Sequence, residues 1–256
     1  MESFSRSPLH EFRSVPEKMH GLKWSFVFMD FERVIAQAMP LLNEGVKLTV
    51  LVSVLSLLIG MIIGFFICIM GRSRIAPLKW IAAVYIWIIR GTPMLVQAFI
   101  VYFGIPQLIT TFIPDFRLEP YNAGIITLSL NAGAYLSEIF RGGINAVNKG
   151  QVEAARSLGL SSGRTMLKVV LPQAIKIATP SIVNQCIITI KDTSILSVIG
   201  LAELVNKAKV YVGKSYQFFA TYILVALYYL VVTSVLMLIS KYLEKKFNYE
   251  KSKGNS

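Results

Sequence analysis

Two stretches of this chain, Leu48–Met70 and Phe218–Ser240, contain no charged residue, and about 20 consecutive apolar residues suffice for a helix to cross the hydrocarbon of a bilayer. In lipid every backbone N–H and C=O must find its partner within the protein, so runs of this kind are restricted to transmembrane helices. Three less pure runs lie between them: one entered at Thr92-Pro93 and continuing to about Ile113, one from Tyr121 to Phe140, and one from Ile177 to Leu201. The expected fold is an all-α membrane protein of about five transmembrane helices. Residues 77–113 are too many for one simple span. Two elements are favoured over a single kinked helix: Pro77–Ile89 along the membrane surface, then a span with Pro93 in its first turn, where the missing N–H costs little.

Residues 1–40 read as an N-terminal external or interfacial segment, 41–243 as the transmembrane domain and 244–256 as a basic cytoplasmic tail. Met1–Gln37 has mixed charges and no apolar core of signal-peptide type, so no cleavable signal is indicated. Trp24, Phe26, Phe28 and Phe31 place the part before the first span on the membrane surface, and disorder is expected before it. Gly60 and Gly64 form a small-residue pair suited to close helix packing inside the protein.

Five spans put the termini on opposite sides, and Lys and Arg in short loops set which side is which. Arg72, Arg74 and Lys79 follow the first span; Arg141, Lys149, Arg156, Arg164, Lys168 and Lys176 flank residues 145–175; Lys241, Lys245, Lys246, Lys251 and Lys253 follow the last. These fall on one side, which predicts an external N-terminus and a cytoplasmic C-terminus. Lys207, Lys209 and Lys214 soften the contrast on the other side. The net charge of +12 therefore faces anionic lipid rather than nucleic acid, for which no recognition motif is present. Cys68 and Cys186 sit in apolar segments without metal-ligand spacing.

The polar island Gln151–Ala174, QVEAARSLGLSSGRTMLKVVLPQA, reads as helix, sharp turn, helix. Gln151–Leu158 are good helix formers, Gly159 suits a helix stop, Ser161 or Ser162 suits the next N-cap, and Leu171-Pro172 is expected to end the second helix. Ala154 and Ala155 add little bulk, so a partner surface can approach closely, while Glu153 and Arg156 supply charge.

Glu153-Ala154-Ala155, Gly159 and Leu171-Pro172 together resemble the signature loop of ATP-binding-cassette importer permeases. RGTPMLVQ (Arg90–Gln97), AYLSEIFRGGI (Ala134–Ile144) and KDTSILSVIG (Lys191–Gly200) resemble its polar amino acid branch, and the resemblance runs from about Leu41 to Leu243. It implies the type I importer permease fold in a bacterial cell membrane. It makes the polar loop a coupling helix, with Glu153, Ala154, Ala155, Arg156, Leu158 and Gly159 acting on a pair of cytoplasmic ATPase subunits that carry the ATP and Mg. It also implies a second permease copy or paralogue and an extracytoplasmic amino-acid-binding protein. No cofactor is expected on this chain, which has no Gly-rich phosphate loop ending in Gly-Lys-Ser or Gly-Lys-Thr.

Charges inside spans are expensive and mark function by default. Lys191 and Asp192 are adjacent in the fourth span, and neighbours on a helix point about 100° apart, so they cannot simply neutralise one another. An amino acid zwitterion offers a carboxylate to Lys191 and an ammonium to Asp192. Thr193 and Ser194 add hydroxyls and, with Asp192, resemble an N-cap series at which the helix breaks and restarts. Glu138, Gln97 and Asn131 are further candidates for the same cavity. The alternatives are structural: a Lys191–Glu138 pair, a cation partner for Asp192, and interhelical hydrogen bonds for Gln97 and Asn131. An ion-coupled secondary transporter using Glu138 and Asp192 is the competing function. The absence of internal repeats argues against it.

Overall fold

The computed structural model describes the backbone of residues 17–253 and the side chains of residues 31–246. Met1–Pro16, the side chains of Trp24, Phe26 and Phe28, and those of Lys251 and Lys253 lie outside the described residues, with the expectations placed on them. The described chain is helical throughout, in eight segments: α1 (Glu17–Gly71), α2 (Ala76–Gly91), α3 (Met94–Ile109), α4 (Pro120–Asn145), α5 (Lys149–Ser157), α6 (Ser162–Ile199), α7 (Leu204–Ser215) and α8 (Phe218–Lys253). Among the described residues, four of these (α1, α4, α6 and α8) are long and apolar enough to cross a membrane. A fifth crossing exists only if α2 and α3 are taken together, and that pair is bent by 106°. The bend separates the two elements that the sequence favours. Pro93, however, is the N-cap residue of α3 and not part of its first turn.

Glycines set how closely α1 and α4 approach. A Cβ on Gly64 would lie 2.9 Å from the Gly133 carbonyl oxygen and 2.9 Å from Leu136 Cβ, and one on Gly133 would lie 2.7 Å from Ile63 Cγ2. Gly60 is similarly tight against Ala132. The Gly60–Gly64 pair thus serves packing within the chain. At one end of the bundle Arg72 Nη1 donates to Asn145 Oδ1 at 2.8 Å, joining the ends of α1 and α4. At the other, α1 passes through residue 40 unbroken, and its Val34, Ala38 and Leu42 pack with Leu204 and Ala208 of α7 and Ala220 and Leu224 of α8.

Leu171-Pro172 does not end a helix, contrary to the sequence expectation: α6 runs from Ser162 to Ile199. Proline removes one N–H and crowds the carbonyl four residues back. The chain meets this by widening to a π turn over Met166–Val170, in which Leu171 N–H reaches back five residues to the Met166 carbonyl. The same device, Ile100–Gly104 with Ile105 N–H on the Ile100 carbonyl, precedes Pro106 in α3. Helical propensity does not encode a π turn, so the proline alone reads as a stop.

Candidate functional site

The break between α2 and α3 is closed by side chains of the RGTPMLVQ segment. In an unbroken helix the Ile89 carbonyl would accept from residue 93, and Pro93 has no N–H to give. Gln97 Nε2 supplies the donor instead, at 2.7 Å from the Ile89 oxygen, and also reaches the Thr92 carbonyl and Thr92 Oγ1, each at 3.0 Å. Thr92 Oγ1 donates to the Ile88 carbonyl at 2.8 Å. Asn131 of α4 then donates through Nδ2 to Gln97 Oε1 at 3.3 Å. Both amides are buried, at 8% exposure each, so Gln97 and Asn131 hold an elbow and bind each other.

Arg90, at the end of α2, reaches α4. Its Nη1 lies 3.3 Å from Glu138 Oε2 and its guanidinium sits 5.3 Å from the centre of the Tyr135 ring. Arg141, one turn along α4, holds the same carboxylate in two-pronged fashion at 2.9 and 2.7 Å. Glu138 is therefore paired with two arginines, and the Lys191–Glu138 pair does not form.

Lys191 and Asp192 close the α-helical part of α6. Lys191 is exposed and Asp192 half-buried, and neither has a side-chain hydrogen bond or ion pair among the described residues. The helix does not break and restart after them. It tightens into a 3₁₀ segment, Thr193–Ile199, and stops at Gly200 with φ of 83°. Thr193 is fully buried and donates to the Ile190 carbonyl at 2.6 Å, while Ser194 donates to the Lys191 carbonyl at 2.7 Å. Both hydroxyls are thus spent on carbonyls of their own helix. A cavity of about 390 Å³ takes in Arg90, Tyr135, Glu138 and Ser181, but neither Lys191 nor Asp192. The charged residues of the spans thus form two groups.

Between α4 and α6 lies the polar loop. Asn148 Oδ1 accepts from Gly150 N–H at 2.8 Å and starts α5, Gly159 ends it with φ of 81°, and Ser161 Oγ accepts from Arg164 N–H at 3.4 Å to start α6. Arg156 Nη1 donates to the Leu160 carbonyl at 2.8 Å and fixes the turn from within. Glu153, Ala154 and Arg156 face outward with Leu158, which is 82% exposed. Ala155 is buried, so of the two alanines only Ala154 is open to a partner.

One acid went unnoticed in the sequence. Glu203 is fully buried between α6 and α7, where its carboxylate accepts from Val205 N–H at 2.9 Å and Asn206 N–H at 2.7 Å. Burial pushes its pKa up against the opposing pull of those two amides. A lone acid just before a helical run is an N-cap signal.

A model of the family described as "Binding-protein-dependent transport system inner membrane component" matches residues 56–249. The arginine transport system permease protein ArtQ of Bacillus subtilis is 39% identical over 218 residues, 85% of this chain and 97% of that relative. The glutamine transport system permease protein GlnP of Escherichia coli is 39% identical over 213 residues, 82% and 94% of the two chains. Among solved structures, one described as the crystal structure of an amino acid ABC transporter with histidines superposes with a TM-score of 0.76 at 34% identity, covering 91% of this chain and all of that one. The methionine transporter MetNI matches at 17% identity with a TM-score of 0.69, a likeness of fold.

Proposed function

Because the chain belongs to the family of inner membrane components of binding-protein-dependent transport systems, we propose that it is the membrane-crossing subunit through which an amino acid enters the cell on ATP hydrolysis by a separate chain. Its relatives are amino acid permeases, and it is one of them. The observation that carries the mechanism is α5: a short helix capped at both ends by its own residues, with Glu153, Ala154, Arg156 and Leu158 uncovered. Such a helix is a rigid part that an ATPase can push. Coupling requires that its contacts differ between the partner's open and closed states, and a part that kept its shape would pass that difference on.

The partners are a pair of cytoplasmic ATPase subunits with ATP and Mg, a second permease, and a substrate-loaded protein on the opposite face. The N-terminus is external and the C-terminus cytoplasmic, as the positions of the basic residues suggest. Lys191 and Asp192 hold the cargo, one for its carboxylate and one for its ammonium. That neither makes a side-chain hydrogen bond or ion pair among the described residues supports this, since an unpaired charge in a span is costly unless it faces water or a ligand. Thr193 supports that site from behind, and Gln97 and Asn131 shape the elbow beside it. With the complex in liposomes, Asp192→Ala should abolish ATP-driven amino acid uptake while the chain still inserts and still co-purifies with its ATPase. Normal uptake by this variant would remove Asp192 from the site.

A further inference from the structure

The charge cluster at the end of α2 has capacity left over. Glu138 is taken up by Arg141 through two bonds, whereas Arg90 makes a single contact with it at 3.3 Å, and its other N–H groups have no hydrogen-bond partner among the described residues. Arg90, Tyr135, Glu138 and Ser181 line a cavity of about 390 Å³, with Ile139, Ile177 and Ala178 giving it an apolar wall. Arg141 and Arg90 oppose the single Glu138, so the cluster carries a net charge of +1. A guanidinium fork that is open on one side and backed by an aromatic ring is built for a carboxylate. The Glu138 carboxylate, with about four lone-pair positions and three in use, keeps one for an ammonium.

Ser181 lies ten residues before Lys191 in the α-helical part of α6, about 15 Å along the axis. Ser181, Asn184 and Lys191 share one exposed face at helical spacing. The face that carries Lys191 therefore runs on, past Ile188 and Asn184, to the cavity.

We propose that this cavity is a second amino acid site, in which Arg90 holds the carboxylate and Glu138 the ammonium after the cargo has left Lys191 and Asp192. The inference rests on the importer reading above. It gives Arg90 a binding role distinct from the central pair and makes passage a two-stop transfer between like-built sites.

The test is equilibrium binding to the complete complex in nanodiscs, using an equimolar mixture of the protein L-amino acids with retention read by mass spectrometry. Asp192→Ala should leave residual binding of the retained amino acid. Adding Arg90→Gln should weaken that residue about tenfold, the scale of one lost charged contact. Adding Ser181→Phe instead, which fills the cavity and leaves the ion pairs in place, should do the same. The methyl ester of the retained amino acid, lacking the carboxylate charge, should not compete. Residual binding unchanged by Ser181→Phe, or competed equally by the ester, would overturn the second site. So would complete loss of binding in Asp192→Ala alone with the ATPase still attached. A preparation without any ATPase would instead overturn the importer reading.

Discussion

Replacing Gln97 by Met keeps the volume of the side chain and removes every polar contact that Gln97 makes at the elbow. Four are lost: three from Nε2 to Ile89 and Thr92, and one from Asn131 to Oε1. Hydrogen bonds inside membrane proteins average about 0.6 kcal/mol each, which sums to about 2 kcal/mol. The Ile89 carbonyl raises this, because Pro93 cannot replace the lost donor, and a buried acceptor left bare adds about 1–3 kcal/mol. The expected destabilisation is about 3–5 kcal/mol, read from reversible unfolding of the purified chain in mixed micelles of increasing denaturing detergent. Val96→Met, next door but exposed, should stay within about 0.5 kcal/mol. Gln97→Glu at a pH high enough to ionise it is the sharper probe, since the carboxylate keeps the shape and the acceptor but has no proton to donate. If Gln97→Glu matched the wild type, the account of Gln97 as the stand-in for the N–H missing from Pro93 would be wrong.

Gly64→Val puts carbon within 3.0 Å of three atoms of α4 and should cost about 1–3 kcal/mol by overpacking, whereas Gly163→Ala, with open space around it, should be neutral or stabilising by thermal unfolding. Gly159→Val sets a β-branched residue at a positive φ, a penalty of about 1–2 kcal/mol; uptake should fall while Gly159→Asn, at home in that region, keeps it, and equal uptake by both would deny the turn its role. For Glu203 the sign follows from its raised pKa: the folded protein holds this proton to higher pH than the unfolded chain, so the contribution to stability is present at low pH and is lost as pH rises through the folded pKa. Glu203→Gln should therefore gain stability relative to wild type as pH rises from the ordinary carboxylate range through the raised folded pKa, and parallel melting curves across that rise would refute it.

How far the sequence could be read depended on the range of the interaction. Charge-free runs and helix caps are local, and α1, α4 and α8 contain the runs that predicted them while Ser161 starts α6 where a serine was expected. What failed was non-local. Arg90 and Glu138 are 48 positions apart, and nothing nearby in the sequence marks them as partners. Gln97 is identified as the donor to Ile89 only once the 106° bend brings them together. Pro172 reads as a terminator because the compensating π turn costs the backbone little and leaves no residue signature. Ala155 and Ala154 are indistinguishable in composition, and which of them is buried depends on how α5 lies on the protein.

The same contacts constrain where movement can occur. If α5 takes the push proposed for it, the push reaches α4 through the short link after Asn145 and α6 through Val152, which packs on Val147, Val170 and Ala174; α4 is pressed against α1 with glycines that leave carbon and oxygen no room to slide past a side chain. Arg72 ties the two helices at the end nearest the loop. Sliding of packed helices needs surfaces that tolerate small shifts; this one has backbone atoms where ridges would be, so α1 and α4 must move together. Two further joints of that pair are as close, since a Cβ on Gly45 of α1 would lie 2.8 Å from the Leu204 Cα of α7 and one on Gly143 of α4 would lie 2.8 Å from the Ala174 carbonyl oxygen of α6; the contact with α2 is looser. Arg90 reaches α4 through one 3.3 Å contact and a ring, and α6 ends in a 3₁₀ segment and a left-handed glycine next to Lys191 and Asp192. On the proposed coupling role of α5, the two charged groups are where the elements have room to shift, and a change of a few kcal/mol in contacts there would be enough to move a two-state equilibrium.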